Sequence, residues 1–280
     1  MVTWEAKEFS LEAIAASGQV FTWQSQSGIR SQWRITSGKR VCMASQAEDK
    51  LCLRWPDKKQ PSEEELRYWR HYFALDDNYA AMLAELEASG LLPSELRSTS
   101  RGIRVLHQQW LDVAVSFIIS QNSNISRIQR TMDVLIAHGD PPGSMPSVSR
   151  LIEIINNRAI CNDLRLGYRR PYLLELAQRA AAGWRPLALS HPFAPLEAQM
   201  AELERLPGIG PKVASCICLY GLGYDEAVPR DVWIKRAERD FDIQWHPRLG
   251  GIQQQLVFTW IRDKYKRGRK QPSCSKPKKP

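Results

Sequence analysis

The hydrophobic period of this chain changes once, and that change limits the folds open to it. Over the first ~85 residues, GQVFTWQ (18–24), SQWRITS (31–37), KRVCMASQ (39–46) and KLCLRW (50–55) alternate polar with apolar residues. They are rich in Val, Thr, Phe and Trp, and clusters of Gly, Ser, Asp and Lys separate them, which predicts antiparallel strands in a meander. Pro61 and the acidic start of SEEELRYWRHYF (62–73) predict a helix. From about residue 79 the period is helical. NYAAMLAELEAS ends at Gly90, and GIRVLHQQWLDVAVSFIIS (102–120) reads as one long apolar helix. NISRIQRTMDVLIAH has Asn124 as its N-cap. GDPPGSMPS (139–147) is a loop, and helical patterns continue through SRLIEIINN, RPYLLELAQRAAAG, PLEAQMAELERL, PKVASCICLYGL, DVWIKRAERDF and GIQQQLVFTWIRDKYK. The expected class is α+β: a small N-terminal antiparallel sheet over 1–88, a helical body over 89–268 and a basic disordered tail over 269–280.

Charge and cysteine usage narrow the function classes. Residues 262–280 hold nine lysines and arginines against Asp263 alone, so the net charge of +9 sits almost wholly at one end. Such an end attracts a polyanion. The six cysteines include no C-x-x-C and stand apart from the five histidines, so no zinc or iron–sulfur ligand set is expected. No signal-like start precedes the first strand, and VAVSFII (113–119) is too short to span a bilayer. The expectation is a soluble intracellular protein with free thiols, placed in the cytoplasm or nucleoid, or in the nucleus of a eukaryote.

LPGIGPKV (206–213) carries the chemistry. Gly208 and Gly210 permit a very tight turn, and Pro211 suits the first turn of the helix that follows. Free backbone N–H groups at such a helix start bind phosphate, although an ordinary αα-turn has the same sequence needs. LPGIGPKVA followed by VPRDVW (228–233) resembles the helix-hairpin-helix DNA glycosylases. SGQVFTW (17–23), SFIISQNSNISRI (116–128), LGYRRPYL (166–173) and QQLVF (254–258) narrow the resemblance to the 8-oxoguanine DNA glycosylase/AP lyase branch. These motifs run in order over most of the chain.

The resemblance implies a bifunctional base-excision enzyme acting on double-stranded DNA with 8-oxoguanine, and formamidopyrimidine-guanine, opposite cytosine. It assigns Lys212 as the nucleophile toward the sugar C1′. The positive end of a helix and an apolar surround both favour the neutral amine that this requires. Asp231 would stabilise the cationic character of the sugar, its carboxylate kept ionised by backbone N–H groups at a helix start. Gly18, Cys216, Gln254 and Phe258 would form the base pocket. Asn122 would fill the gap left by the extruded base, Arg127 and Arg169 would read the orphaned cytosine, and Tyr168 would wedge beside it. Gly208, Gly210 and Val213 would hold a phosphate. Trp233 departs from the histidine some members carry there, and an indole offers one N–H donor. No cofactor is implied for the chemistry, and the hairpin carbonyls leave room for a structural cation. A monomer is implied. Two other readings use the same residues: an alkylpurine glycosylase, which needs no lysine nucleophile, and a non-catalytic hairpin module that binds DNA without regard to lesions.

Overall fold

The computed structural model describes residues 1–26, 32–56, 60–93, 95–96 and 102–268. The tail at 269–280 lies outside the described residues. Five strands form one antiparallel sheet in the order β1-β5-β4-β3-β2, with β1 Val2–Glu5, β2 Trp23–Ser25, β3 Gln32–Ser37, β4 Arg40–Ala47 and β5 Lys50–Arg54. Thirteen α-helices are described: α1 Leu11–Ala16, α2 Glu63–Tyr72, α3 Tyr79–Ala88, α4 Trp110–Ser120, α5 Ile125–Ala137, α6 Val148–Asn156, α7 Arg158–Leu164, α8 Arg170–Ala181, α9 Leu187–Ser190, α10 Leu196–Leu203, α11 Pro211–Leu222, α12 Val232–Phe241 and α13 Gly250–Gly268. Among the described residues, no helix is long and apolar enough to cross a membrane. Nor do three His, Cys, Asp or Glu side chains among them cluster as a metal site requires.

The expected α+β architecture is present, and its sheet obeys the pleat. Ile35, Cys42, Ala44, Leu51 and Leu53 point to one face and are buried there against Trp69, Tyr72 and Phe73 of the α2 region. Two of the buried indoles keep their N–H groups paired. Trp23 Nε1 donates to the Tyr72 hydroxyl at 2.8 Å, and Trp69 Nε1 donates to Glu65 at 2.7 Å. Strand β1, helix α1 and helix α7 were not expected from the sequence. β1 pairs Val2–Glu5 with Lys50–Leu53 in a register that only the fold brings together.

One sequence expectation needs correction. The helix expected over 102–120 begins at Trp110, and residues 103–109 form no helix. Their backbone groups are bonded across the fold instead. Val105 N–H donates to the Tyr79 hydroxyl, Leu106 N–H to Gln19, His107 N–H to the Tyr72 carbonyl and Gln108 N–H to the Tyr220 carbonyl. These partners come from three remote segments, so local periodicity could not report them. The sheet core and the helical core meet along this segment: Leu106 belongs to the first, Ile103 and Val105 to the second. Tyr79 and Leu86 of α3 also pack in the helical core, although they precede the boundary that composition placed at residue 88. Asp112, buried in the first turn of α4, accepts the Gly38 N–H at 2.7 Å and ties the β3–β4 turn to the body; burial pushes its carboxyl up to about 7.

Helix α4 is buried on every side from Val113 to Ile119, which marks it as the centre of the helical body. It runs against α11 closely enough that a Cβ at Gly221 would lie 2.8 Å from the Trp110 Cα. Phe117 stacks on Tyr220 with ring centroids 5.5 Å apart. Lys212, at the other end of α11, has Nζ 4.7 Å from the Phe117 ring. The two helices are therefore antiparallel, and the C-terminus of α4 stands beside the N-terminus of α11.

Candidate active site

A cleft of about 540 Å³ opens at that junction, lined by Ser120 to Asn124, Arg127, Lys212, Arg230, Asp231, Val232 and Lys235. The N-terminal turns of α5, α11 and α12 all line it. Each presents the positive end of a helix dipole, and four basic side chains stand there against the one carboxylate of Asp231. The arrangement suits a polyanion.

The hairpin sits between α10 and α11. Gly208 has φ +82°, and a Cβ there would fall 2.3 Å from the Tyr172 ring. Gln121 Nε2 donates to the Gly208 carbonyl at 2.8 Å and joins the hairpin to the turn after α4. Gly210 is the N-cap of α11, without a side-chain cap, and nothing lies within 4 Å of where its Cβ would be. The helix's first bond runs from Ala214 N–H to the Gly210 carbonyl, so the N–H groups of Lys212 and Val213 precede it. Val213 itself buries its side chain in the core. Gly208→Ala combines a left-handed backbone with a ring collision. It should cost about 2–4 kcal/mol in denaturant unfolding.

Lys212 is half-buried at the second position of α11, and Cys216 lies one turn on, fully buried. Burial pushes the Cys216 thiol up to about 11, with Lys212 pulling the other way, so the thiol stays protonated at neutral pH. Asp231 caps α12 by accepting the N–H groups of Trp233 and Ile234, each at 2.9 Å. Those bonds and the charges of Lys212 and Arg262 favour the carboxylate, but burial is the larger effect, and the net shift is upward. The cap acts in the expected direction, toward the carboxylate, and desolvation opposes it. Trp233 packs near Tyr265, with ring centroids 6.0 Å apart.

Of the residues expected to form the base pocket, Gly18 and Phe258 stand together, and Gln254 shares the helix of Phe258. Gly18 has φ +80°, and a Cβ there would lie 3.2 Å from Cε1 of Phe258. Gln254 shares the Phe258 face of α13 one turn earlier and is buried. Its Nε2 donates to the Pro229 carbonyl at 3.2 Å, two residues before Asp231, while its Oε1 is buried with no hydrogen-bond partner among the described residues. Arg262 lies both in the basic run 262–280 and in the helical pattern GIQQQLVFTWIRDKYK, and neither assigns it to the site. The structure places it in α13, with its guanidinium carbon 5.0 Å from the Phe258 ring centroid. The signal was available: Gln254, Phe258 and Arg262 recur every four residues. Arg230 and Lys235 were also missed, since only the fold brings α12 beside the α4–α5 turn.

The turn residues divide. Asn122 is exposed at φ +45° and donates to the Tyr168 hydroxyl at 2.9 Å. Arg127 is exposed, with Nη2 3.3 Å from the Arg165 carbonyl. Arg169, the second arginine expected to read the orphaned cytosine, is held by the turn. It is 5% exposed and donates to the carbonyls of Gln121, Asn122 and Leu166 while lying under the Tyr168 ring. The carbonyls at the end of α4 and in the turn beyond it need donors, and Arg169 supplies them.

Residues 1–113 match the family model described as the N-terminal domain of 8-oxoguanine DNA glycosylase. The chain is 28% identical over 241 residues to the Arabidopsis thaliana N-glycosylase/DNA lyase OGG1, covering 81% of this chain and 65% of that one. It is 32% identical over 198 residues to the N-glycosylase/DNA lyase of Saccharomyces cerevisiae, covering 61% and 50%. The chain thus spans about half to two thirds of the length of these relatives. The solved structure of MBOgg1 in complex with a low-affinity DNA ligand superposes with a TM-score of 0.79 at 25% identity, covering 94% of this chain and 96% of that one. The sheet, the hairpin and the lysine–aspartate cleft thus stand in a chain that is similar to an N-glycosylase/DNA lyase over 81% of its length and to the N-terminal domain of 8-oxoguanine DNA glycosylase over residues 1–113.

Proposed function

We propose that the protein is a bifunctional glycosylase/AP lyase that excises 8-oxoguanine from duplex DNA opposite cytosine, and the ring-opened formamidopyrimidine with it. The observation that carries this is the pairing of Lys212 with Asp231 in one basic cleft. Lys212 Nζ attacks the sugar C1′, the N-glycosidic bond breaks, and its electron pair leaves with the base, which takes up a proton. The sugar ring opens to a Schiff base on Lys212. Loss of a C2′ proton then expels the 3′-oxygen and nicks the strand, and water releases the lysine. Asp231 offsets the positive charge that develops on the sugar. A nucleophile of this kind favours the lyase over an alkylpurine glycosylase, which needs none.

The buried acceptor of Gln254 supports a guanine-type base. A guanine edge offers N–H donors that would satisfy Oε1, and an unpaired buried acceptor costs about 1–3 kcal/mol until something does. The Gly18 carbonyl would accept the additional N7–H of the oxidised base. Asn122 and Tyr168, already bonded to each other at the cleft, would enter the stack, and Arg127 would read the orphaned cytosine.

Borohydride trapping tests the reading. A covalent protein–DNA adduct with an 8-oxoguanine·cytosine duplex, absent with the undamaged duplex, supports it. Equal binding of both duplexes without an adduct leaves a non-catalytic hairpin module. Arg127→Gln should narrow the preference for cytosine over adenine opposite the lesion by about 10-fold, the worth of one good base-edge pair. Single-turnover rates on the two duplexes measure it.

A further inference from the structure

Two surfaces that would grip the base, Gly18 and the Phe258 ring, belong to segments about 240 residues apart in sequence; Gln255 Nε2 donates to the Ser17 carbonyl at 2.9 Å and joins the two segments, but that bond does not involve the ring. Gly18 has a left-handed backbone and no side chain to anchor it. The Phe258 ring is half-buried. Arg262 reaches both. Its guanidinium carbon lies 5.0 Å from the ring centroid, and Nη1 donates to the Ala16 carbonyl at 3.3 Å, two residues before Gly18. The same nitrogen would stand 3.7 Å from a Cβ on Gly18. Arg262 is also half-buried, and its positive charge favours the Asp231 carboxylate.

We propose that Arg262 is a positioning residue for base excision: its guanidinium ties the end of α1 to the Phe258 ring and so sets the spacing of the two surfaces that grip the base. A planar guanidinium can lie over a ring while donating in its own plane to a carbonyl. A lysine ammonium can keep the charge over the ring but has no such fork. This role rests on the excision reading above and deepens it. A merely structural arginine, covering the edge of α13, would predict a different outcome: its loss would affect every step equally.

The two steps of the reaction separate these roles. A pre-formed abasic site has no base to grip, whereas 8-oxoguanine does. Single-turnover rates at pH 8 under excess protein are to be measured for Arg262→Gln, Arg262→Lys and the wild type. The substrates are an 8-oxoguanine·cytosine duplex and the matching abasic duplex. Arg262→Gln should lower excision about 10- to 100-fold, the range expected when a reacting group is misplaced by about an ångström. Strand cleavage at the abasic site should fall far less, and Arg262→Lys should recover part of the excision rate. Equal falls in both activities, or undiminished excision, overturn the proposal. Should Arg262→Gln fail to fold, the ratio of excision to abasic cleavage in Arg262→Lys decides between the same outcomes. A wild type inert on the 8-oxoguanine duplex overturns the substrate reading and this role with it; an active wild type matched by Arg262→Gln overturns this role alone.

Discussion

Lys212→Gln should yield a folded protein that forms no borohydride-trappable adduct and whose turnover falls by at least about 10⁴-fold, the scale seen when a nucleophile is removed from a concerted site. Lys212 is half-buried at the uncapped start of α11, with its amine over the Phe117 ring rather than in a salt bridge. A glutamine of similar length can lie along the same surface, so the melting temperature should change little. Binding of the lesion duplex should survive, because Arg127, Arg230, Lys235 and three helix N-termini still face the cleft. Salt titration checks this directly: the logarithm of the affinity should fall linearly with that of salt, with a slope about one unit shallower for the variant if Lys212 also neutralises a phosphate. An adduct trapped in Lys212→Gln at wild-type yield would move the nucleophile elsewhere.

Asp231→Asn is the second large effect, and it separates charge from capping. Asparagine caps a helix about as well as aspartate, so the bonds to Trp233 and Ile234 persist. The negative charge does not, and single-turnover excision should fall by about 10²–10³-fold. The pH dependence follows from the upward shift of Asp231, caused first by burial. In the proposed role the active form is the carboxylate, so wild-type activity should fall as pH drops through a pKa raised above the ordinary aspartate value. In Asp231→Asn that acid limb should vanish. For stability the sign is opposite. The folded state holds the Asp231 proton more tightly than the unfolded state, so above the folded pKa the ionised group opposes folding. That penalty shrinks as pH falls through the folded pKa and is gone below the unfolded one. Asp231→Asn should therefore melt no lower than wild type at pH 7.5, whereas Asp231→Ala, which loses the cap, should cost about 1 kcal/mol relative to Asp231→Asn. An activity loss that tracks a fall in melting temperature would reduce Asp231 to a cap.

Much of this site was legible in one dimension because its parts are local. The hairpin is a run of glycines and a proline whose backbone needs are written in LPGIGPK. The cap at Asp231 and the recurrence of Gln254 and Phe258 every four residues are equally short-range. Where the chain's own period sets an element, as in α5, α10 and α11, expectation and structure agree. Where partners are remote they diverge. Residues 103–109 carry a helical pattern, yet their N–H groups donate to Tyr79, Gln19, Tyr72 and Tyr220 and not to one another's carbonyls. The bonds from Arg169 to the carbonyls of Gln121 and Asn122 likewise join residues 48 and 47 positions apart, which no local pattern reports.

The sequence by itself determined the sheet-then-helices order, the hairpin, and the lysine and aspartate that flank it. The tertiary structure alone decided which charges share the cleft, that burial opposes the cap at the Asp231 carboxyl and is the larger effect, and that the Arg262 guanidinium stands over Phe258. The reason is physical. Backbone conformation answers to neighbours within a turn or two, whereas desolvation and Coulomb interactions depend on distance through space. Those distances exist only once α4, α11, α12 and α13 have packed.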